Sequence, residues 1–198
     1  MDFLEGVGRR QNLAELEHEY LQLERKSLNG NEKNVLFRNR GGATPEFVAV
    51  DYVSGVDRIE DSRAVGVSDI DADGDLDLIV QTVEGPSLLL VNQGPTGHWL
   101  QVRARGTHSN HDAIGARVEA RIGERWILRE VSSTSGYISG QPLLCHFGLG
   151  PAERVDELVV HWPRGGVTRL EDVAADQRVE IVEPEGGGGG PARNLAVR

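Results

Sequence analysis

Apolar positions change period along this chain. Within residues 11–28, Leu13, Leu16, Tyr20 and Leu23 recur at alternating three- and four-residue intervals, while Glu15, Glu17, Glu19, Glu24, Arg25 and Lys26 fill the other faces. That spacing predicts an amphipathic helix, capped by Asn12 and stopped by Asn29-Gly30-Asn31. From about residue 34 the pattern shortens to strand-length runs between turns: 34–39, 46–50, 76–80 and 87–94. Further on, Leu100, Val102 and Ala104 alternate with Gln101, Arg103 and Arg105, which predicts a strand with one buried face. Arg117 to Ile122 and Trp126 to Val131 flank Gly123-Glu124 as a hairpin, and further strands are predicted at 143–147, 156–161, 167–170 and 178–182. A two-layer antiparallel β-sandwich or squat barrel buries such strands. Asp156 to Trp162 ends in a turn at Pro163-Arg164-Gly165-Gly166, and the glycine run after Pro184 predicts a flexible tail over 184–198.

Between these strands lies Asp69-Ile70-Asp71-Ala72-Asp73-Gly74-Asp75-Leu76-Asp77-Leu78. Carboxylates at strict two-residue spacing repel one another unless a cation neutralises them. Asp69, Asp71 and Asp73 can converge on one point of a tight loop, Gly74 allows the sharp turn, the carbonyl of Asp75 can turn inward, and Asp77 can close the site. An oxygen-only donor set suits a hard cation, and this many protein oxygens favour Ca2+ over Mg2+. The loop is not an EF-hand, because Val80 stands where that motif needs a glutamate and the run continues as a strand. The predicted metal residues are therefore Asp69, Asp71, Asp73, Asp75 and Asp77.

Charge and composition narrow the function classes. The 198 residues carry 21 basic and 31 acidic side chains, a formal charge of -10. That balance disfavours nucleic acid and anionic membranes as main partners and suits cation binding. No stretch approaches the ~20 apolar residues of a membrane span, and the start has neither a basic nor an apolar leader region, so the chain reads either as cytoplasmic or as a piece of a longer protein. The single cysteine, Cys145, excludes an internal disulfide and reads as a small buried hydrophobe.

Two family resemblances sit on these residues. The Leu36-Phe37-Arg38-Asn39 strand, Gly41-Gly42 and the aspartate loop resemble FG-GAP or VCBS-type repeats over about 34–94, which implies a β-propeller blade with a calcium loop. His98-Trp99-Leu100-Gln101-Val102, Ser109 to Val118, Ser135-Gly136-Tyr137, His146 to Gly150, Val155-Asp156 and His161-Trp162-Pro163 follow one another as in the ASPIC and UnbV domain, over about 97–183. The resemblance implies kinship with adhesion and matrix-type proteins, with bacterial secreted repeat proteins, and with proteins of enediyne biosynthesis. The chain departs from that pattern in the short turn at Gly140-Gln141-Pro142 and in carrying about one blade.

The expected organisation is an N-terminal segment with its helix (1–33), a blade-like antiparallel segment (34–96), an ASPIC/UnbV-like sandwich (97–183) and the tail (184–198), a mainly β fold. One blade cannot close a propeller, which takes typically four to eight, so residues 34–94 must fold onto the sandwich or pair their edges with another chain. The first functional expectation is a calcium-stabilised module that binds a protein or ligand, or self-associates, through the helix and the blade edges. The alternative is an accessory protein or enzyme of secondary metabolism. Its candidate pocket combines the polar loop His108-Ser109-Asn110-His111-Asp112 with Ser133, Ser135 and Tyr137. No nucleophile elbow, phosphate loop or Cys-His signature accompanies that loop, so no catalytic residue is assigned. The bland reading of the same residues is a turn satisfied by Asn110 and Asp112, a buried bend at 135–137, histidines at strand edges, and Trp99, Trp126, Trp162 and Tyr137 in the core.

Overall fold

Alternation decides which strands build the core. A computed structural model describes residues 32–186, apart from 43, 84, 95 and 96, together with the backbone of 194–197. The predicted N-terminal helix lies outside the described residues. Over the described part the chain is mainly β, and every helical residue belongs to one turn, α1 (Asp51–Ser54).

Two four-stranded sheets enclose one core. The first has the order β11 (Val167–Ala174), β10 (Arg154–His161), β7 (Arg117–Ile122), β8 (Arg125–Glu130) and is antiparallel throughout. The second has the order β13 (Asn194–Val197), β12 (Gln177–Val182), β6 (His98–Arg105), β9 (Cys145–Gly150). Inward residues of both sheets meet in one apolar cluster: Leu100, Val102, Phe147, Val179 and Ile181 from one, Val118, Ala120, Val155, Leu158 and Val160 from the other. All ten are fully buried. The predicted hairpin at Gly123-Glu124 forms, as does the turn after Trp162, where Gly165 N–H donates to the Trp162 carbonyl.

The structure corrects several expectations. β6 and β12 pair in parallel, so the second sheet is mixed. The segment read as a tail contains β13, which pairs antiparallel with β12 and satisfies that strand's outer edge. Trp126 is 49% exposed and Tyr137 73% exposed, whereas Trp162 is in the core with its indole N–H bonded to buried Thr168. The bend at 135–137 is exposed, and the buried residue there is Ser139.

The residues before the sandwich distribute over two further sheets. β1 (Phe37–Asn39) and β2 (Phe47–Ala49) form an antiparallel pair. β3 (Ser62–Ser68), β4 (Asp77–Thr82) and β5 (Leu88–Leu90) form a three-stranded sheet. α1 and β3 are additions to the sequence reading; in β3, Val65 and Val67 share their side with Arg63, and no residue of the strand is fully buried. The described chain divides into two compact units, one of residues up to 63 with 81–87, the other of 64–80 with residues from 88 onward. The aspartate loop, between β3 and β4, thus belongs to the same unit as the two sandwich sheets.

Candidate metal centre

The loop is built around one buried carboxylate. Asp77 opens β4 and is 1% exposed. Its Oδ2 accepts the Ile70 N–H at 2.9 Å and its Oδ1 accepts the Asn92 N–H at 2.9 Å, so it ties the start of the loop to the segment after β5. Asp73 Oδ1 accepts the Asp75 N–H at 2.8 Å, a local turn of the Asx type. Ala72 and Gly74 take left-handed backbone conformations, φ 64° and 95°. At Gly74 the glycine is needed twice over, since a Cβ there would lie 1.9 Å from Nε1 of Trp99.

Asp69, Asp71 and Asp77 converge, each offering an oxygen within 4.8 Å of the others. Asp69 Oδ1 is buried without a hydrogen-bond partner. Desolvation, followed by the neighbouring Asp73 and Asp77 carboxylates, raises the pKa of Asp71, outweighing the opposing backbone N–H groups. Crowded carboxylates that disfavour one another's charge, one of them with an orphaned oxygen, fit a hard cation, and the donors are all oxygen. Asp73 and Asp75, expected in the same set, are not among the three that meet.

The floor beneath the loop comes from the outward face of the β6 sheet. Trp99, Gln101 and Arg103 point away from the core by strand alternation, yet Gln101 is only 2% exposed. Its neighbours across the sheet are Arg178 on β12 and His146 on β9. Gln101 Nε2 donates to Asp69 Oδ2 at 2.9 Å, and Gln101 Oε1 accepts from Arg178 Nε at 2.9 Å and Nη2 at 2.7 Å. Trp99 stacks on His146, centroids 6.5 Å apart and planes 11° from parallel. A cavity of about 200 Å³ is lined by Asp69 and Leu76 from the loop, by Gln101 and His146 from this sheet, and by Arg129 from β8 of the other sheet. Burial lowers the pKa of His146, with Asp69 opposing the shift, and pushes that of the adjacent Cys145 thiol up to about 12. Cys145 is 2% exposed and faces the core as a neutral hydrophobe, as its surroundings in sequence predict.

The residues of the alternative enzyme reading line neither of the two cavities beside the aspartate loop. Asn110 bonds both N–H and carbonyl of Ile114, satisfying its turn locally. Thr107, His108 and Ser109 turn their N–H groups onto Glu183 Oε2 at 2.9, 2.9 and 2.6 Å, and Ser109 Oγ donates to Oε1 at 2.8 Å. Burial raises the Glu183 pKa, but these bonds outweigh it and hold the carboxyl below its ordinary range. His111 Nδ1 lies 3.1 Å from Asp112 Oδ1. Residues 133–137 lie in the exposed bend, and neither segment lines the cavities beside the aspartate loop. Glu183 was missed in the sequence, where its only local signal was a lone acid after the last sandwich strand.

The geometry now stands beside known proteins. Residues 106–188 match the ASPIC and UnbV family model. Three curated relatives are similar to this chain. Cartilage acidic protein 1 of Mus musculus and of Homo sapiens are each 34% identical over 122 residues, covering 59% of this chain. The Xenopus tropicalis protein of the same name is 36% identical over 114 residues, covering 54%. The chain spans only 17–18% of the length of these relatives. It is therefore similar to one part of much longer proteins. The family-model match falls on the sandwich strands β7 to β12, the Glu183 cradle and the whole 108–112 loop.

Proposed function

We propose that this chain is a calcium-stabilised β-module that binds a protein or ligand partner, with no catalysis assigned. The observation that carries the cation is the meeting of Asp69, Asp71 and Asp77 around a buried oxygen without a hydrogen-bond partner. These three hold the ion, Asp73 shapes the turn, and Asp75 is assigned its backbone carbonyl as in the sequence reading. The FG-GAP or VCBS-type reading of 34–94 and the domain limits at 33, 96 and 183 belong to this proposal and rest on residue pattern.

The interaction role is supported by apolar side chains left open on the unit that precedes the loop. Phe37 and Phe47 are each 60% exposed, and Tyr52 and Val53 are 82% and 81% exposed. Clustered on a short two-stranded sheet and the helical turn after it, they are more apolar surface than a freestanding module needs to show. Among the described residues no helix is long and apolar enough to cross a membrane.

The test is thermal unfolding in excess chelator, in titrated calcium and in magnesium, with Asp71→Ala as the control. Binding to the folded state alone stabilises it by mass action, by ~2.7 kcal/mol at a hundredfold excess over Kd. We expect a calcium-dependent rise in Tm that magnesium does not match and that Asp71→Ala largely abolishes. Equal melting of parent and variant in millimolar calcium would overturn the cation reading.

A further inference from the structure

From the hydrogen-bond chain beneath the loop we infer that Gln101 and Arg178 are positioning residues for the cation site, which place its first carboxylate from the sandwich sheet. This rests on the cation reading above and goes beyond it, because neither residue is acidic, neither belongs to the loop, and neither is a ligand.

The direction of the chain follows from its chemistry. An arginine has only donors, so the Gln101 atom that faces Arg178 Nε and Nη2 must be its carbonyl oxygen. The amide is thereby oriented, and its NH2 group is turned toward Asp69. That group can only donate, so it takes one carboxylate oxygen, Oδ2. Oδ1 keeps its lone pairs and has no hydrogen-bond partner. Asp69 is thus held with one oxygen engaged and one open, from the sheet and not from the loop's own backbone.

Packing makes the arrangement stiff. Gln101 is 2% exposed on a face that strand alternation would otherwise leave wet, and it sits opposite Arg178 in the parallel β6 and β12 pair. A buried amide with both ends bonded has little freedom to rotate, and leaving either end unpaired is costly. Outer partners that orient metal ligands commonly change affinity by ~10–100-fold when removed. The loop alone, as a flexible acidic turn, would have to order Asp69 on binding; the sheet does this in advance.

The experiment is calcium titration calorimetry on chelator-stripped full-length protein, for the parent, Gln101→Met, Arg178→Met and Arg178→Lys, with the Tm of each in chelator. Gln101→Met keeps the side-chain length and removes all three hydrogen bonds. We expect it to weaken calcium about 10–100-fold. Arg178→Met, which leaves every contact to Asp69 in place, is expected to weaken it about threefold to tenfold by freeing the amide to rotate, and Arg178→Lys to restore part of that loss. A merely structural role would lower Tm in chelator and leave the calcium affinity of the folded protein unmoved. Affinities of both methionine variants within twofold of the parent would overturn this inference alone; a parent that binds no calcium would overturn the cation reading and this inference with it. Should Gln101→Met fail to fold, the Arg178 pair decides.

Discussion

Single side chains in this protein do unequal amounts of work, and the burden falls on a few buried acids. Glu183 is 2% exposed and gathers three successive N–H groups of the 107–109 loop, a concave anion nest closed by a side chain of the same protein. Hydrogen bonds to a charged group contribute ~1.5–3 kcal/mol, so Glu183→Gln, which leaves one neutral amide oxygen in place of the carboxylate, is expected to cost about 2 kcal/mol at pH 7. The pH dependence has a definite sign. The folded carboxyl lies below its ordinary 4.5, so its stabilisation is full above that value and disappears as pH falls through the folded one. Urea unfolding of parent and variant should therefore differ at pH 7 and converge on acidification below 4.5. A gap that stays constant would show that the charge is not what holds the loop. Asp77 likewise accepts two backbone N–H groups, and its place in the regular aspartate run makes it visible in the sequence, whereas Glu183 draws its partners from more than seventy positions away.

At the scale of elements, the bend after β8 shows how an exposed segment can still fix a strand. Ser139, 9% exposed, accepts the Val65 N–H of β3 at 3.1 Å and donates to the Tyr137 carbonyl at 2.9 Å. Ile138 is held at φ 50°, a conformation that β-branched residues rarely adopt. Ser139→Ala is expected to cost about 1 kcal/mol and to speed hydrogen exchange at Val65 ahead of the core strands. Unchanged exchange at Val65 would mean that β3 is held by its pairing with β4 alone. The alternation of β6, β7 and β10 was legible because half-buried strands write a period of two into the sequence. β3 was not, because Val65 and Val67 share their side with Arg63 and no residue of the strand is fully buried, and β13 was hidden behind a glycine run that signals only its own composition.

For the whole molecule, the common core of the two four-stranded sheets is the main source of stability. Phe147, fully buried on β9, contacts that cluster from the second sheet. Phe147→Ala removes its transfer free energy and leaves a cavity, at an expected cost of ~3–5 kcal/mol. Urea denaturation should show this as a lower midpoint at unchanged slope. A cost under about 1 kcal/mol would require the core to collapse around the gap.

The amino-acid sequence by itself determined the strand periods, the hairpin at Gly123-Glu124, the turn after Trp162, the buried Cys145 and the presence of an aspartate loop. Each of these is written in residues within a few positions of one another, where side-chain alternation and turn chemistry operate. Only the tertiary structure decided that Asp69, Asp71 and Asp77 meet while Asp73 turns aside to cap Asp75, that Trp126 and Tyr137 face solvent, that β12 runs parallel to β6, and that the polar face of β6 is covered. These outcomes depend on pairings such as Gln101 with Asp69, 32 residues away, and with Arg178, 77 residues away. A local pattern shows that a face is polar, but not which segment will come to lie on it.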